Sequence, residues 1–312
     1  MLPIRTISLH AAACGLAITL ATGCATNPPR GASPAPPPAD PIPAIEARAA
    51  ATPGAVVRLA AWRLDGRGPR LLLRADSLVH AASTMKVPVM ITLAQRADRG
   101  LLQLDGAIPL GNRFASIVDG SPYTLARTDD SDDSVYARVG ERVSLRWLAT
   151  RMITHSSNLA TNTLLTVVAA DSVTAAMRAL GATRMLVRRG VEDTPAFRAG
   201  LNNVTTAADL ATILAAIATD RAASPAACAW MREVLFAQAY NTAIPTGLPA
   251  GTRIAHKTGD ITRVEHDAAI VYQAGDGAPY VLVVLTSGIE SQAQARVLIA
   301  DIARIVHGAL QR

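Results

Sequence analysis

A serine and a lysine stand three residues apart in His80-Ala81-Ala82-Ser83-Thr84-Met85-Lys86, just after a strand-like run. On a helix that spacing puts both side chains on one face, one turn apart. A serine hydroxyl is a weak nucleophile at neutral pH unless a base takes its proton, and a lysine kept partly neutral by burial or by a neighbouring cation can act as that base. Composition singles the lysine out: of 30 basic residues 28 are arginine, and the only lysines are Lys86 and Lys257. Arginine stays protonated near any working pH, so two surviving lysines point to a need for a compact or deprotonatable amine.

At 312 residues and 50% hydrophobic composition the chain can bury a sizeable core. Its net charge of +6 is scattered along the sequence, and with only 4% aromatic residues it offers no stacking platform for nucleic acid. Residues 1–23 read as a secretory signal, with Arg5 ahead of an apolar segment too short to span a bilayer. Leu20-Ala21-Thr22-Gly23-Cys24 resembles a bacterial lipobox, so Cys24 is the expected lipidation site. Residues 24–50 are expected to form a Pro/Ala-rich tether that holds the catalytic domain, residues 51–312, off a membrane in the periplasm. With Cys14 in the signal and Cys24 at its end, Cys228 is the one cysteine left for the globular part, and no internal disulfide framework is available.

Within that domain, Ala55–Leu64 and Arg70–Leu73 are β-like runs around a Gly/Pro turn, and Thr252–Lys257, His266–Gln273 and Tyr280–Thr286 are strand-like at the other end. Helical patterns lie between them, beginning with Lys86–Arg99, and an amphipathic helix over 291–310 closes the chain. The expectation is an α/β fold: an antiparallel sheet flanked by helices, with an inserted all-α lobe over about 84–212. Residues 111–142 read as a long loop lining the site, and Asp129-Asp130-Ser131-Asp132-Asp133 within it as a solvated acidic stretch. Ser83 falls near a helix N-terminus, where free N–H groups and the positive dipole suit a developing oxyanion.

Two further motifs follow the first: Ser156-Ser157-Asn158 between helices, and Lys257-Thr258-Gly259 at the end of a strand. Three motifs in this order resemble the penicillin-recognising serine enzymes, and their flanks look most like class A β-lactamases. Asn162 lies four residues after Asn158, and Glu192 sits in an irregular segment before Thr205-Thr206, as that family's pattern has them. The resemblance implies that Ser83 attacks an acyl carbon, that Lys86, with or without Glu192 acting through a water, receives its proton, and that the N–H groups of Ser83 and Asp260 hold the oxyanion. It further implies that Ser156 passes a proton to the leaving nitrogen, that Asn158 bonds the substrate amide, that Lys257 supplies a cation for a substrate carboxylate with Thr258, Gly259 and Asp260 as further substrate-binding residues, and that Glu192 activates the deacylating water. Glu192 has a structural alternative, pairing with Arg188 or Arg189, and Asp193 is adjacent. Either Arg263 or His266 would assist with the carboxylate. The histidines show no metal spacing, and no cofactor is implied.

Ser157 stands where class A enzymes carry aspartate, and Asp260 puts an acid beside the carboxylate-binding strand. The first functional reading is a monomeric class A-like serine hydrolase that opens β-lactam amides through an acyl-enzyme. The second is a D-alanyl-D-alanine peptidase or amidase acting on peptidoglycan stem peptides. A non-hydrolytic β-lactam sensor is the third.

Overall fold

A computed structural model describes residues 40–273, 275 and 277–311, together with Ser8. Cys24 and the expected signal and tether as far as residue 39 lie outside the described residues, Ser8 excepted. The tether reading does not extend to residue 50: Ile42–Ala50 is a helix. Proline at its start fits the first turn, where the lost N–H has no helical partner, and Ile45 and Ala49, one turn apart, are buried. Arg48 Nε meets Asp301 Oδ2 of the closing helix Gln292–Leu310 at 2.7 Å. Amphipathic spacing, hidden in the Ala-rich composition, moves the start of the folded domain about ten residues upstream of the expected boundary.

Five strands form one antiparallel sheet, in the order Leu71–Leu73, Val56–Arg63, Tyr280–Ser287, Val264–Tyr272, Arg253–Ile261. Alternate residues serve two cores, as the two-residue period of a strand requires. Tyr280, Leu282 and Val284 pack with Leu298, Ile299 and Ile302 of the closing helix, whereas Val281, Val283 and Leu285 face the helical side. The result is the expected α/β fold, an antiparallel sheet between helical layers.

The helix Lys86–Asp98 is buried along its first nine residues, Lys86 to Ala94, and so forms the axis of the helical side. Buried on every face over that stretch, it has neighbours all round. The expected lobe limit at 212 falls inside another helix, Ala207–Ala218, which packs on the three central strands; Pro225–Phe236 continues the helical layer beside Arg253–Ile261. Residues 111–142 are largely irregular but braced by short pairings of Phe114–Ala115 with Pro122–Tyr123 and of Ala107–Pro109 with Arg142–Ser144.

Candidate active site

Ser83 lies in the 3-10 turn Ala82–Met85, which runs directly into the helix carrying Lys86. Ala82 has φ +45°, a left-handed conformation that is costly for a residue with a Cβ, and its N–H donates to His80 Nδ1 at 3.0 Å. The strand Arg253–Ile261 presses against this turn. At Gly259 a Cβ would come within 2.8 Å of Ser83 N and 2.9 Å of Thr84 N, so only glycine lets the strand lie this close to the Ser83 backbone.

Lys86 is fully buried, and its Nζ has three acceptors: Ser156 O at 2.6 Å, Ser156 Oγ at 3.1 Å and Asn158 Oδ1 at 2.8 Å. The fully buried Lys257, on the strand, reaches the same hydroxyl, Nζ to Ser156 Oγ at 3.1 Å, and also donates to Thr258 O at 2.8 Å. One hydroxyl thus accepts from both lysines and keeps its own proton free to give. Ser156 occupies this junction with φ +59°, between the helices Leu145–Thr154 and Asn158–Val168. Burial pushes the Lys86 amine well below its ordinary range and the charge of Lys257 pushes the same way, against Asp130 and Asp260. Burial likewise brings Lys257 down to about 7.

The acidic stretch is not simply solvated. Asp132 is buried and forked onto Arg151, with Nε at 2.5 Å and Nη2 at 2.7 Å, while Asp130 Oδ2 accepts from Ser157 Oγ at 3.1 Å and Leu159 N at 2.7 Å. Asp129 O accepts from Asn158 Nδ2 at 2.8 Å. An unsatisfied helix N-terminus draws the carboxylate in, which composition could not reveal.

Across the cleft, the two neighbouring acids of the 186–204 segment part company. Asp193 is fully buried; it accepts from Ser116 Oγ at 2.7 Å, Ile117 N at 3.0 Å and Ala196 N at 3.2 Å, and so caps the short helix Thr194–Arg198. Glu192, at φ +61°, is exposed on the cleft lining and makes no hydrogen bond to Lys86, Ser83 or Asn162 among the described residues. Arg189 bonds Gly190 O and Asn202 Oδ1, and neither it nor Arg188 forms a salt bridge with Glu192 among the described residues.

A profile of the β-lactamase enzyme family matches residues 40–310. The chain belongs to that family. No curated protein matches it in sequence. Among solved structures, PBP-A superposes with a TM-score of 0.75 at 24% identity, covering 88% of this chain and 97% of that one. A PBP-A mutant solved as an acyl-enzyme complex with penicillin G gives 0.75 at 24%, covering 89% and 98%. A β-lactamase from Sphaerobacter thermophilus gives 0.72 at 25%, covering 87% and 97%.

In this β-lactamase-family chain neither residue expected to help with a substrate carboxylate is available. Arg263 is exposed and turned to Glu290, at 3.2 Å, and Gly288 O. His266 is fully buried, its ring nitrogens at 2.8 and 2.9 Å from the carbonyls of Glu265 and His80, so the ring faces the interior rather than the cleft; burial pushes it down to about 4. The cation on the cleft lining at that end is Arg296, from the first turns of the closing helix, whose Nε meets buried Glu265 Oε1 at 3.1 Å. Asp260 is exposed, with Gln292 Nε2 donating to its carboxylate at 3.3 Å. Sequence reasoning missed Asp130 and Arg296. The missing acid at Ser157 hinted at the first; nothing local in the sequence marks the second.

Proposed function

We propose that this family member is a serine hydrolase that opens β-lactam amides by acylation of Ser83. The observation that carries this reading is the Ser156 hydroxyl held at 3.1 Å from each of two fully buried lysines, beside a serine on a turn at the head of a helix. Lys86, once it has given up a proton and with it one of its three acceptor contacts, takes the proton of Ser83 on the freed lone pair as the serine Oγ bonds to the lactam carbonyl carbon. The N–H groups of Ser83 and Asp260 receive the oxyanion, and as the C–N bond breaks, Ser156 gives its proton to the departing nitrogen and recovers one from Lys86. Lys257 and Arg296 supply positive charge for a substrate carboxylate. That a PBP-A mutant was solved as a penicillin G acyl-enzyme supports the same step here.

Water must then cleave the ester, and of the adjacent acids Glu192 and Asp193 on the cleft lining the exposed one is Glu192, Asp193 being fully engaged. Its exposure favours a second reading, a D-alanyl-D-alanine peptidase: no hydrogen bond holds Glu192 to Lys86 or Asn162, so a β-lactam ester on Ser83 would be released slowly. Mixing the purified domain with a chromogenic cephalosporin, and following both colour and intact protein mass, separates the two. Sustained colour supports the hydrolase. A persistent adduct, with D-alanine released from a D-alanyl-D-alanine peptide, supports the peptidase, and no adduct on Ser83 overturns both. We further propose export and lipid anchoring through Cys24, on the strength of its lipobox-like context and the Pro-rich stretch after it.

A further inference from the structure

We propose that Asp130 is a positioning residue of the active site: its carboxylate, arriving from the acidic loop, supplies the negative cap that the turn Ser156-Ser157-Asn158 lacks in its own sequence. The inference rests on the reading of Ser83 as the acylated residue. The helix Asn158–Val168 begins at this turn, and two residues share its N-terminus. Ser157 Oγ accepts from Ala160 N at 3.2 Å and donates to Asp130 Oδ2 at 3.1 Å, while the same Asp130 oxygen accepts from Leu159 N at 2.7 Å. A single aspartate at a helix N-cap can accept from both of those N–H groups. Here the hydroxyl takes one, and a carboxylate 29 residues upstream of Leu159 takes the other.

Asp130 is in turn fixed by Asp132 N, which donates to Oδ1 at 3.0 Å, and Asp132 is locked by Arg151. The consequences reach the reacting groups. The carbonyl of Asp129 accepts from Asn158 Nδ2, orienting the amide so that Oδ1 faces Lys86 Nζ at 2.8 Å, and Ser156 sits at the other end of the same turn. Asp130 is also the foremost of the two carboxylates favouring the charged form of Lys86, with Asp260 the other and Lys257 opposing both. Loss of Asp130 therefore unfastens the turn and removes a charge that acts on the base.

The test is a four-protein cycle: the parent, Asp130→Asn, Ser157→Asp and the double variant. Thermal midpoints and Ser83 acylation by a penicillin across pH are measured for each, acylation by intact mass. Asp130→Asn is expected to lower the midpoint by about 2–4 °C and the acylation rate by at least about tenfold. Ser157→Asp alone crowds two carboxylates and should also destabilise. In the Asp130→Asn background the same substitution should reverse sign, raising the midpoint and restoring acylation to within about threefold of the parent. Asp130→Asn should also move the acidic limb of acylation to lower pH, because Lys86 is left with less negative charge beside it, and the double variant should move it back. A purely structural cap would leave the limb in place. The proposal is overturned if Ser157→Asp has the same sign in both backgrounds, or if Asp130→Asn acylates as the parent does over the whole range. Should Asp130→Asn fail to fold, recovery of the fold by the added Ser157→Asp reports the same reversal. If the parent forms no adduct, the acylation reading fails and the positioning role falls with it, while the midpoints still decide the shared cap.

Discussion

Asn162 holds Val191 by both ends of the residue's backbone: its Oδ1 accepts from Val191 N–H at 2.7 Å and its Nδ2 donates to Val191 O at 2.9 Å. This amide pins the loop one residue ahead of Glu192, and the side chain placed under its grip is a valine. Glu192 follows in a left-handed conformation with its carboxylate exposed.

Glu192→Gln should therefore leave Ser83 acylation unchanged and slow release of a penicillin adduct by less than about tenfold, whereas an ordered general base would cost about 10²–10⁴. Asp193→Asn should lower stability and slow both steps, since a buried carboxylate with three donors loses charge and acceptor capacity. Quenched-flow mass spectrometry beside a melting curve checks this; a loss of 10² or more confined to deacylation in Glu192→Gln would make Glu192 the base.

Lys86→Arg should cut acylation by about 10²–10⁴. The site is fully buried and offers three acceptors to a compact amine, and a guanidinium neither fits it nor gives up its proton. Near-normal adduct formation would remove Lys86 from the role of base.

For Lys257 the pH dependence has a definite sign. Its native value is about 7 against an ordinary 10.5, so between those values the unfolded chain binds more protons and stability rises with pH; the cost of burying the ammonium is fully present below 7. The free enzyme correspondingly loses this cation as pH rises through 7. KM for a carboxylate-bearing β-lactam should then climb, by at most about tenfold per pH unit. A KM that stays flat to about pH 9 would show Lys257 charged throughout.

Gly259→Ala should reduce acylation by about 10² or more, with the domain still folded, because the new methyl would displace the Ser83 backbone against which Gly259 packs. Circular dichroism together with adduct formation tests it, and parental acylation in a folded variant would contradict the close approach.

Arg296→Gln should raise KM for carboxylate-bearing substrates about five- to tenfold and change kcat by less than about twofold, the pattern of lost uniform binding. Steady-state kinetics with a substrate and its carboxylate ester should show the effect only for the acid; an equal effect on both would remove Arg296 from that contact.

The sequence by itself determined the parts that depend on short-range geometry. Ser83 and Lys86 share a face because three residues make about one helical turn, and Lys257-Thr258-Gly259 lies on a strand because its neighbours read as one. The strand-like ends and the closing helix likewise fixed the α/β class before any contact was known. Tertiary structure decided what depends on chain path and burial. Asp130 caps a helix at Leu159, 29 residues downstream, because its loop folds back over that turn, and no local pattern distinguishes it from exposed Asp129 and Asp133. Arg296 stands on the cleft lining in place of Arg263 or His266 because the closing helix crosses that end, whereas Arg263 turns outward and His266 is fully buried. The lysines' depressed pKa values are set by removal from water, a property of the packed domain rather than of residue type. Glu192 and Asp193 part for the same reason: adjacent side chains diverge where the backbone turns, and one buries its charge among donors while the other is left at the surface.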